Sequence, residues 1–240
     1  MNIIIVGNKF CMACDNKNII TASDFIKLHH QNDESNLQAS MIFLGQGIIK
    51  SQLTILTNFF IKNNIAYTSC IGKNTIEDKK FVHKRKAKNV VITKPVLLSK
   101  FEFIGFLYVA DNCEILDDHV TGLHLQGMLI VEAARQMMIS IVENFFLGDS
   151  DKFRKRFTLV NIKSEFNSFL FPITVEIKAN LKNFTNNNGN LISEINCAFI
   201  QNNIICANVH ISFRVHNEKS LLRKENISAK TIFDLITKIT

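Results

Sequence analysis

One long helical stretch set among β-forming runs is the feature that most limits how this chain can fold. Residues Gly127–Leu147 hold no proline, no glycine after the first position and a dense apolar content, so they read as a single long helix. On either side the pattern changes. Asn89–Leu98 and Lys100–Ala110 are β-rich, and Phe101, Phe103, Leu107 and Val109 share one face of the second run. Beyond the helix, strands are expected at about Phe157–Ser164, Ile173–Phe184, Leu191–Gln201 and Ile204–Val215. Asn186-Asn187-Asn188-Gly189 and Asn202-Asn203 supply tight turns between them. The order β-β-α-β-β-β(β) implies an α+β unit in which an antiparallel sheet wraps one central helix.

Residues 1–75 follow another rhythm. Asn2–Val6, Met41–Leu44 and Ala66–Ile71 read as strands, and Thr21–His30 and Ser51–Asn63 as helices, the second with Leu53, Leu56, Phe59 and Phe60 at helical spacing. Strands alternating with helices predict a small parallel α/β layer. Gly72–Lys80 is polar and charged and reads as a linker, and Ser220–Thr240 as a short helical tail. The expected division is therefore a small α/β domain over 1–75 with no assigned role, the α+β domain over 81–216, and a tail over 217–240. A chain of 240 residues with 47% hydrophobic content can fill one core and a small second one.

No apolar run reaches the roughly 18 residues of a membrane span, and the first ten residues lack the basic start of a signal peptide. A cytoplasmic protein is expected, with its six cysteines as thiols. Cys11-x-x-Cys14 has the spacing of a redox or metal pair, but no second pair accompanies it, so two unconnected thiols are expected and neither a metal nor a cofactor is called for. The net charge of +7 concentrates at Lys79, Lys80, Lys84, Arg85, Lys86 and Lys88 and at Lys152, Arg154, Lys155 and Arg156. No helix-turn-helix, zinc finger or aromatic RNA-binding signature goes with it, so no nucleic acid is expected; an acidic protein partner or a solvated face remains. Gly45-Gln46-Gly47 lacks the rest of a dinucleotide fingerprint and reads as a tight βα turn.

The chemistry concentrates in Asp117–Met137. A polar loop carries His119 and His124, Gly127 opens the helix, and Glu132 sits in its second turn. Without a Cβ, Gly127 lets a ligand carbonyl approach the backbone. First-turn amides have no intrahelical acceptor and lie at the positive end of the dipole, where they polarise a carbonyl. A neighbouring His and Glu are suited to moving protons. Glu132, Arg135 or Gln136, Ser140 and Glu143 or Asn144 also recur every three or four residues, which alone would describe the polar stripe of an amphipathic helix. Met128, Leu129, Val131, Met138, Ile141, Val142 and Phe145 are expected to face the core.

His119–Glu132 resembles the His-x-x-Gly…Gly-x-Leu-x-x-Glu-Ala signature of hotdog acyl-carrier-protein dehydratases. It is closer to the A-factor biosynthesis (AfsA-like) hotdog family, whose helix reads Gly-Met-Leu-x-x-Glu-Ala-Ala-Arg-Gln. That string stands here unbroken from Gly127 to Gln136, and Phe81-Val82-His83-Lys84-Arg85 is similar to the family's opening. The resemblance implies a hotdog fold and an acyltransferase or condensing-type reaction on a β-ketoacyl carrier-protein or coenzyme A thioester, with a glycerone-type phosphate as acceptor. It implies a cytoplasmic enzyme of signal or secondary metabolism with no cofactor. His119, Glu132 and Gly127 would be catalytic, with Gly122, His124, Met128, Arg135 and Gln136 at the substrate. Lys84, Arg85, Arg154 and Arg156 would dock an acidic carrier protein. The family's usual form has two hotdog repeats and this chain has one, which implies a homodimer. Two other departures stand out: His119 precedes Glu132 by one position fewer than in the dehydratases, and Arg135 lies where it can pair with Glu132. A dehydratase or thioesterase, and a non-catalytic acyl-binding or scaffold protein, are the alternative readings.

Overall fold

Two sheets account for most of the regular structure in a computed structural model of the chain, which describes residues 2–30, 41–117, 120, 122–187 and 190–237. The first sheet holds β1 (Asn2–Val6), β2 (Ile19–Thr21), β3 (Met41–Leu44) and β4 (Tyr67–Ser69) in the order β2-β1-β3-β4, all parallel. Parallel neighbours need crossovers. A 3₁₀ helix (Asn8–Asp15) follows β1, α1 (Ala22–His30) follows β2 and α2 (Lys50–Lys62) links β3 to β4. Phe25, Leu56 and Phe60 from the helices close over Ile5, Ile42 and Leu44. β2 is the strand that sequence reasoning did not foresee.

The second sheet is antiparallel, in the order β5-β6-β8-β9-β10-β7, with β5 at Val96–Ser99, β6 at Glu102–Phe106, β7 at Lys155–Phe166, β8 at Glu176–Asn187, β9 at Asn190–Gln201 and β10 at Ile204–Asn217. Against it lies α4 (Gly127–Phe145), preceded by one turn, α3 (Glu114–Asp117). α4 carries Leu129, Ala133, Met137, Ile141 and Val142 into a core shared with Phe103, Ile177, Phe199 and Phe213 of the strands. This is the α+β hotdog arrangement that the residue pattern implied. At Asn202 and Asn203 both φ angles are positive (51° and 63°), the left-handed pair that a two-residue hairpin between β9 and β10 requires. The tail forms α5 (Glu218–Thr237), a full 20 residues.

Three expectations need correction. The first two β runs are shorter than read: between them only β5 and β6 form strands, while Ile92 and Leu107 make an isolated bridge. Met128 (68% exposed) and Phe145 (39% exposed) are not core residues, because the ends of α4 project beyond the sheet. Gly72–Lys80 is not a free linker. Ile76 bridges to Thr93, and the carboxylate of Glu77 is buried against α4, where the Ser140 hydroxyl and the Asn144 amide (3.1 Å) donate to it.

The two sheets are tied by Gly45-Gln46-Gly47. Gln46 is fully buried, and its side-chain amide donates to the carbonyls of Leu107 (2.9 Å) and Ile173 (3.3 Å) while its oxygen accepts from the N–H of Val109 (2.8 Å). Its backbone N–H reaches the Pro172 carbonyl, and Gly47 pairs with Val109 and Asp111. A Cβ on Gly45 would stand 2.4 Å from the Pro172 carbonyl oxygen, and Gly47 has φ +84°. The close approach and the left-handed backbone explain both glycines. Val6 and Phe10 pass from the first unit into the core beneath the second sheet.

Candidate active site

The polar stripe of α4 is real and it is covered. The segment from Glu77 to Val91 crosses the helix and is held by it residue by residue. Gln136 is fully buried; its amide donates to the Asn89 carbonyl and to Glu132 Oε1 (both 2.8 Å), and its oxygen accepts from the Val91 N–H (2.9 Å). Arg135 grips Glu132 through Nε and Nη2 (both 2.8 Å), and Lys84 Nζ lies 2.7 Å from Glu132 Oε1. Burial on its own pushes the Glu132 carboxyl up. Arg135, with Lys84 and Gln136, outweighs that and holds the group down at about 2. Glu143, with no exposed side-chain surface, meets His83 Nε2 (2.8 Å) and accepts from the Phe153 N–H (3.0 Å).

Neighbouring residues of the crossing segment thus hold two carboxylates that lie eleven positions, roughly 16 Å, apart along α4. His83 adopts a left-handed backbone (φ 52°), a conformation costly outside glycine, where the chain turns to send the two side chains apart. The Phe81–Arg85 and Gly127–Gln136 strings therefore belong together physically: one supplies the cations, the other an anion. Sequence reasoning missed His83, Glu143 and Glu77 as a set. The available signal was a row of polar residues on a helix whose other faces are apolar all round.

These contacts bear on three expected roles. Gln136 is not free for substrate, since every polar atom of its amide is engaged within the chain. Glu132 is clamped by Arg135, the pairing that the spacing allows, and by Lys84 and Gln136, which together hold its carboxyl well below the usual carboxylate range. Lys84 likewise spends its charge on Glu132. Cys113, buried nearby, has its thiol pushed up by burial.

The other expected residues gather at the N-terminal end of α4. Gln126 precedes the helix in extended conformation and no side chain caps the first turn. The space left by the missing Cβ of Gly127 is taken by the Phe166 ring, whose atoms lie 3.1–3.6 Å from that position. The His124 ring packs against Phe169 (centroids 4.8 Å apart), and the Leu125 N–H donates to the Leu170 carbonyl, which fastens this loop to the one after β7. Met128, Phe166, Phe169, Phe171 and Leu123 are all 42–68% exposed. Together they form an apolar rim around an uncapped helix end with an imidazole in it. Gly122 sits against the 3₁₀ helix; a Cβ there would come 2.8 Å from the Lys9 carbonyl oxygen. His119 lies outside the described residues.

A shallow basic groove of about 670 Å³ runs beside the crossing segment, lined by Lys80, His83, Lys84, Arg85, Phe153 and Arg156. Arg156 pairs with Glu218, whereas Lys80, Arg85 and the adjacent Arg154 meet no carboxylate among the described residues. No group of three or more His, Cys, Asp or Glu side chains among the described residues is placed to hold a metal ion, and no helix among them is long and apolar enough to cross a membrane.

Comparison with known proteins completes the picture. No curated protein sequence matches the chain. Solved structures that resemble it include a thioesterase from Haemophilus influenzae (15% identity, covering 62% of this chain and 94% of that one, TM-score 0.41) and a conserved protein from Pseudomonas aeruginosa (14%, 58% and 99%, TM-score 0.40). A hypothetical thioesterase from Streptococcus pneumoniae, solved with coenzyme A, is a further one (6%, 58% and 96%, TM-score 0.39). The A-factor biosynthesis hotdog domain matches residues 72–217, more than half of the 240. This span takes in Glu77, the crossing segment and the whole antiparallel sheet, and the chain belongs to the A-factor biosynthesis (AfsA) hotdog family.

Proposed function

We propose that the chain is an acyl-thioester enzyme, working as a transferase at the N-terminal mouth of α4. The observation that carries this reading is the apolar rim of Met128, Phe166 and Phe169 around an uncapped first helical turn, with His124 set within it. The rim suits an acyl chain. The N–H groups of the first turn suit the oxygen of a thioester carbonyl, which gains negative charge when a hydroxyl attacks it, and in this reading the Phe166 ring that fills the space beside Gly127 swings aside to admit it. The attacking hydroxyl needs a base; His119 fills that role in this reading, with His124 positioning the acyl group. Glu132 and Arg135 act on substrate only indirectly, by fixing the crossing segment. An acyl carrier protein presenting acidic residues docks on the basic groove, where Arg85 and Arg154 have charge to spare.

A homodimer belongs to the same reading. Among the described residues β7 pairs only with β10, and residues 159–166 are exposed, an open edge that a second copy would cover. Phe166 ends that edge, so the partner copy would come to lie beside the rim. The clamped state of Glu132 counts against a dehydratase, whose chemistry asks this carboxyl to give and take a proton.

The test is thiol release from β-ketoacyl thioesters of carrier protein and of coenzyme A, with and without dihydroxyacetone phosphate. Release that depends on the phosphate acceptor, and that falls at least about tenfold in His119→Ala, is the expected result. Acceptor-independent release would make the protein a thioesterase. Acyl ligand bound with no turnover would make it a binding protein.

A further inference from the structure

Cys11 and Cys14 are set apart from the other cysteines: Cys11 is exposed and Cys14 half-buried, while Cys70, Cys113, Cys197 and Cys206 are all buried. Both lie in the 3₁₀ helix Asn8–Asp15, past its kink at Phe10, and the Asn16 N–H to Ala13 carbonyl bond (3.2 Å) continues the same three-residue turn. A 3₁₀ helix has three residues per turn, so side chains three apart eclipse one another, with a rise of roughly 6 Å. That separation falls inside the Cα–Cα window of disulfides, about 4.4–6.8 Å, while closing the bond must draw the two Cβ atoms in from roughly 6 Å to about 4 Å by tightening this turn. In an α-helix the same spacing would leave the two side chains about 60° out of line. The Cys14 thiol is pushed up first by burial, then by the nearby Cys11 and Asp24, so the two sulfurs sense one another and the exposed Cys11 is the one an oxidant meets.

The same helix is fastened to the loop that leads into α4. The Asp111 carboxylate accepts from the N–H groups of Asn8 (2.6 Å) and Lys9 (3.1 Å), and Lys9 Nζ reaches Asp117 Oδ1 (2.8 Å). Met12, between the two cysteines, packs on Gly122, where a Cβ would lie 3.4 Å from its Cγ.

We propose that Cys11 and Cys14 are a site of reversible oxidation, closed into a disulfide by small-molecule disulfides, and that closure stiffens residues 111–117 and 122–125. The Cys11 thiolate attacks one sulfur of the small disulfide and expels its partner as a thiolate. The Cys14 thiolate then attacks the Cys11 sulfur of the mixed disulfide and expels the second. Two protein thiols become one disulfide, and the small disulfide takes up two electrons and two protons as two thiols.

The experiment treats the full-length protein with oxidised glutathione and reads peptide masses and amide exchange, neither of which needs an active thioester site. The expected product has Cys11 joined to Cys14 with the four buried cysteines unchanged, and exchange across residues 111–117 and 122–125 slows at least about threefold. Cys14→Ser should stop at glutathione on Cys11, and Cys11→Ser should not react. A lasting glutathione adduct in the wild type, no reaction, or a Cys11–Cys14 bond with unchanged exchange would each overturn the proposal.

Discussion

Replacing Gln46 by Ala tests whether the two sheets are one cooperative structure. The substitution leaves the Val109 N–H and the Leu107 carbonyl without their 2.8 and 2.9 Å partners, and weakens the supply to the Ile173 carbonyl, in a place where Gln46 has no exposed surface. Each unpaired buried backbone group costs about 1–2 kcal/mol, so the two short bonds account for about 3 kcal/mol. The cavity left by four missing heavy atoms adds about 1 kcal/mol. For a chain of this size each kcal/mol shifts Tm by about 2–4 °C, which puts the Ala variant about 10 °C below the wild type. Gln46→Met keeps the volume and loses the hydrogen bonds, so it should recover only the cavity part. Differential scanning calorimetry with urea unfolding gives both numbers. The calorimetric trace should also broaden or split, since the tie between the sheets is what makes them melt together. A Tm within about 2 °C of wild type for Gln46→Ala would show that the tie contributes little and that this reasoning is wrong.

Other consequences follow from the clamps on α4. The folded-state value for Glu132, about 2, lies below the ordinary 4.5, so the folded chain holds fewer protons than the unfolded one between those values. The resulting stability, about 3 kcal/mol, is complete above about pH 4.5 and drains away as the pH falls toward about 2. Glu132→Gln should flatten that acid limb in urea midpoints measured from pH 6 to 3; an unchanged limb would refute the clamp. His83→Ala strands a fully buried Glu143 with only the Phe153 N–H and should cost about 3 kcal/mol, and His83→Gln should restore part of it. A loss below about 0.5 kcal/mol in the Ala variant would mean that Glu143 is neutralised some other way.

The hotdog core was legible because its elements obey simple periods. The central helix begins at Gly127 as read, and the hairpin at Asn202-Asn203 was visible because two consecutive left-handed residues favour asparagine. The family string from Gly127 to Gln136 marked the right helix, but the jobs of its residues did not follow from the string. Glu132 was expected in catalysis and Gln136 at the substrate, and beside the anticipated Arg135 pair their partners are Lys84, Asn89 and Val91, some fifty residues upstream. Long-range pairing of that kind leaves no periodic trace. The Gly72–Lys80 stretch misled for a related reason: Glu77 is polar, and its burial rests on donors from the Ser140 hydroxyl, the Asn144 amide and the Asp78 N–H. Gly45-Gln46-Gly47 was placed correctly at a βα turn, yet nothing local announces that its middle residue reaches into another sheet.

Val6 and Phe10 bring a consequence for how the chain is born. The core they complete is closed by β10, whose last residues leave the ribosome roughly two hundred positions after them. At ordinary synthesis rates, about 5–20 residues per second, these two side chains wait ten seconds or more for their partners. Until then the apolar corner of the first sheet lacks the strands that cover it, an exposed surface of the kind that invites aggregation during synthesis.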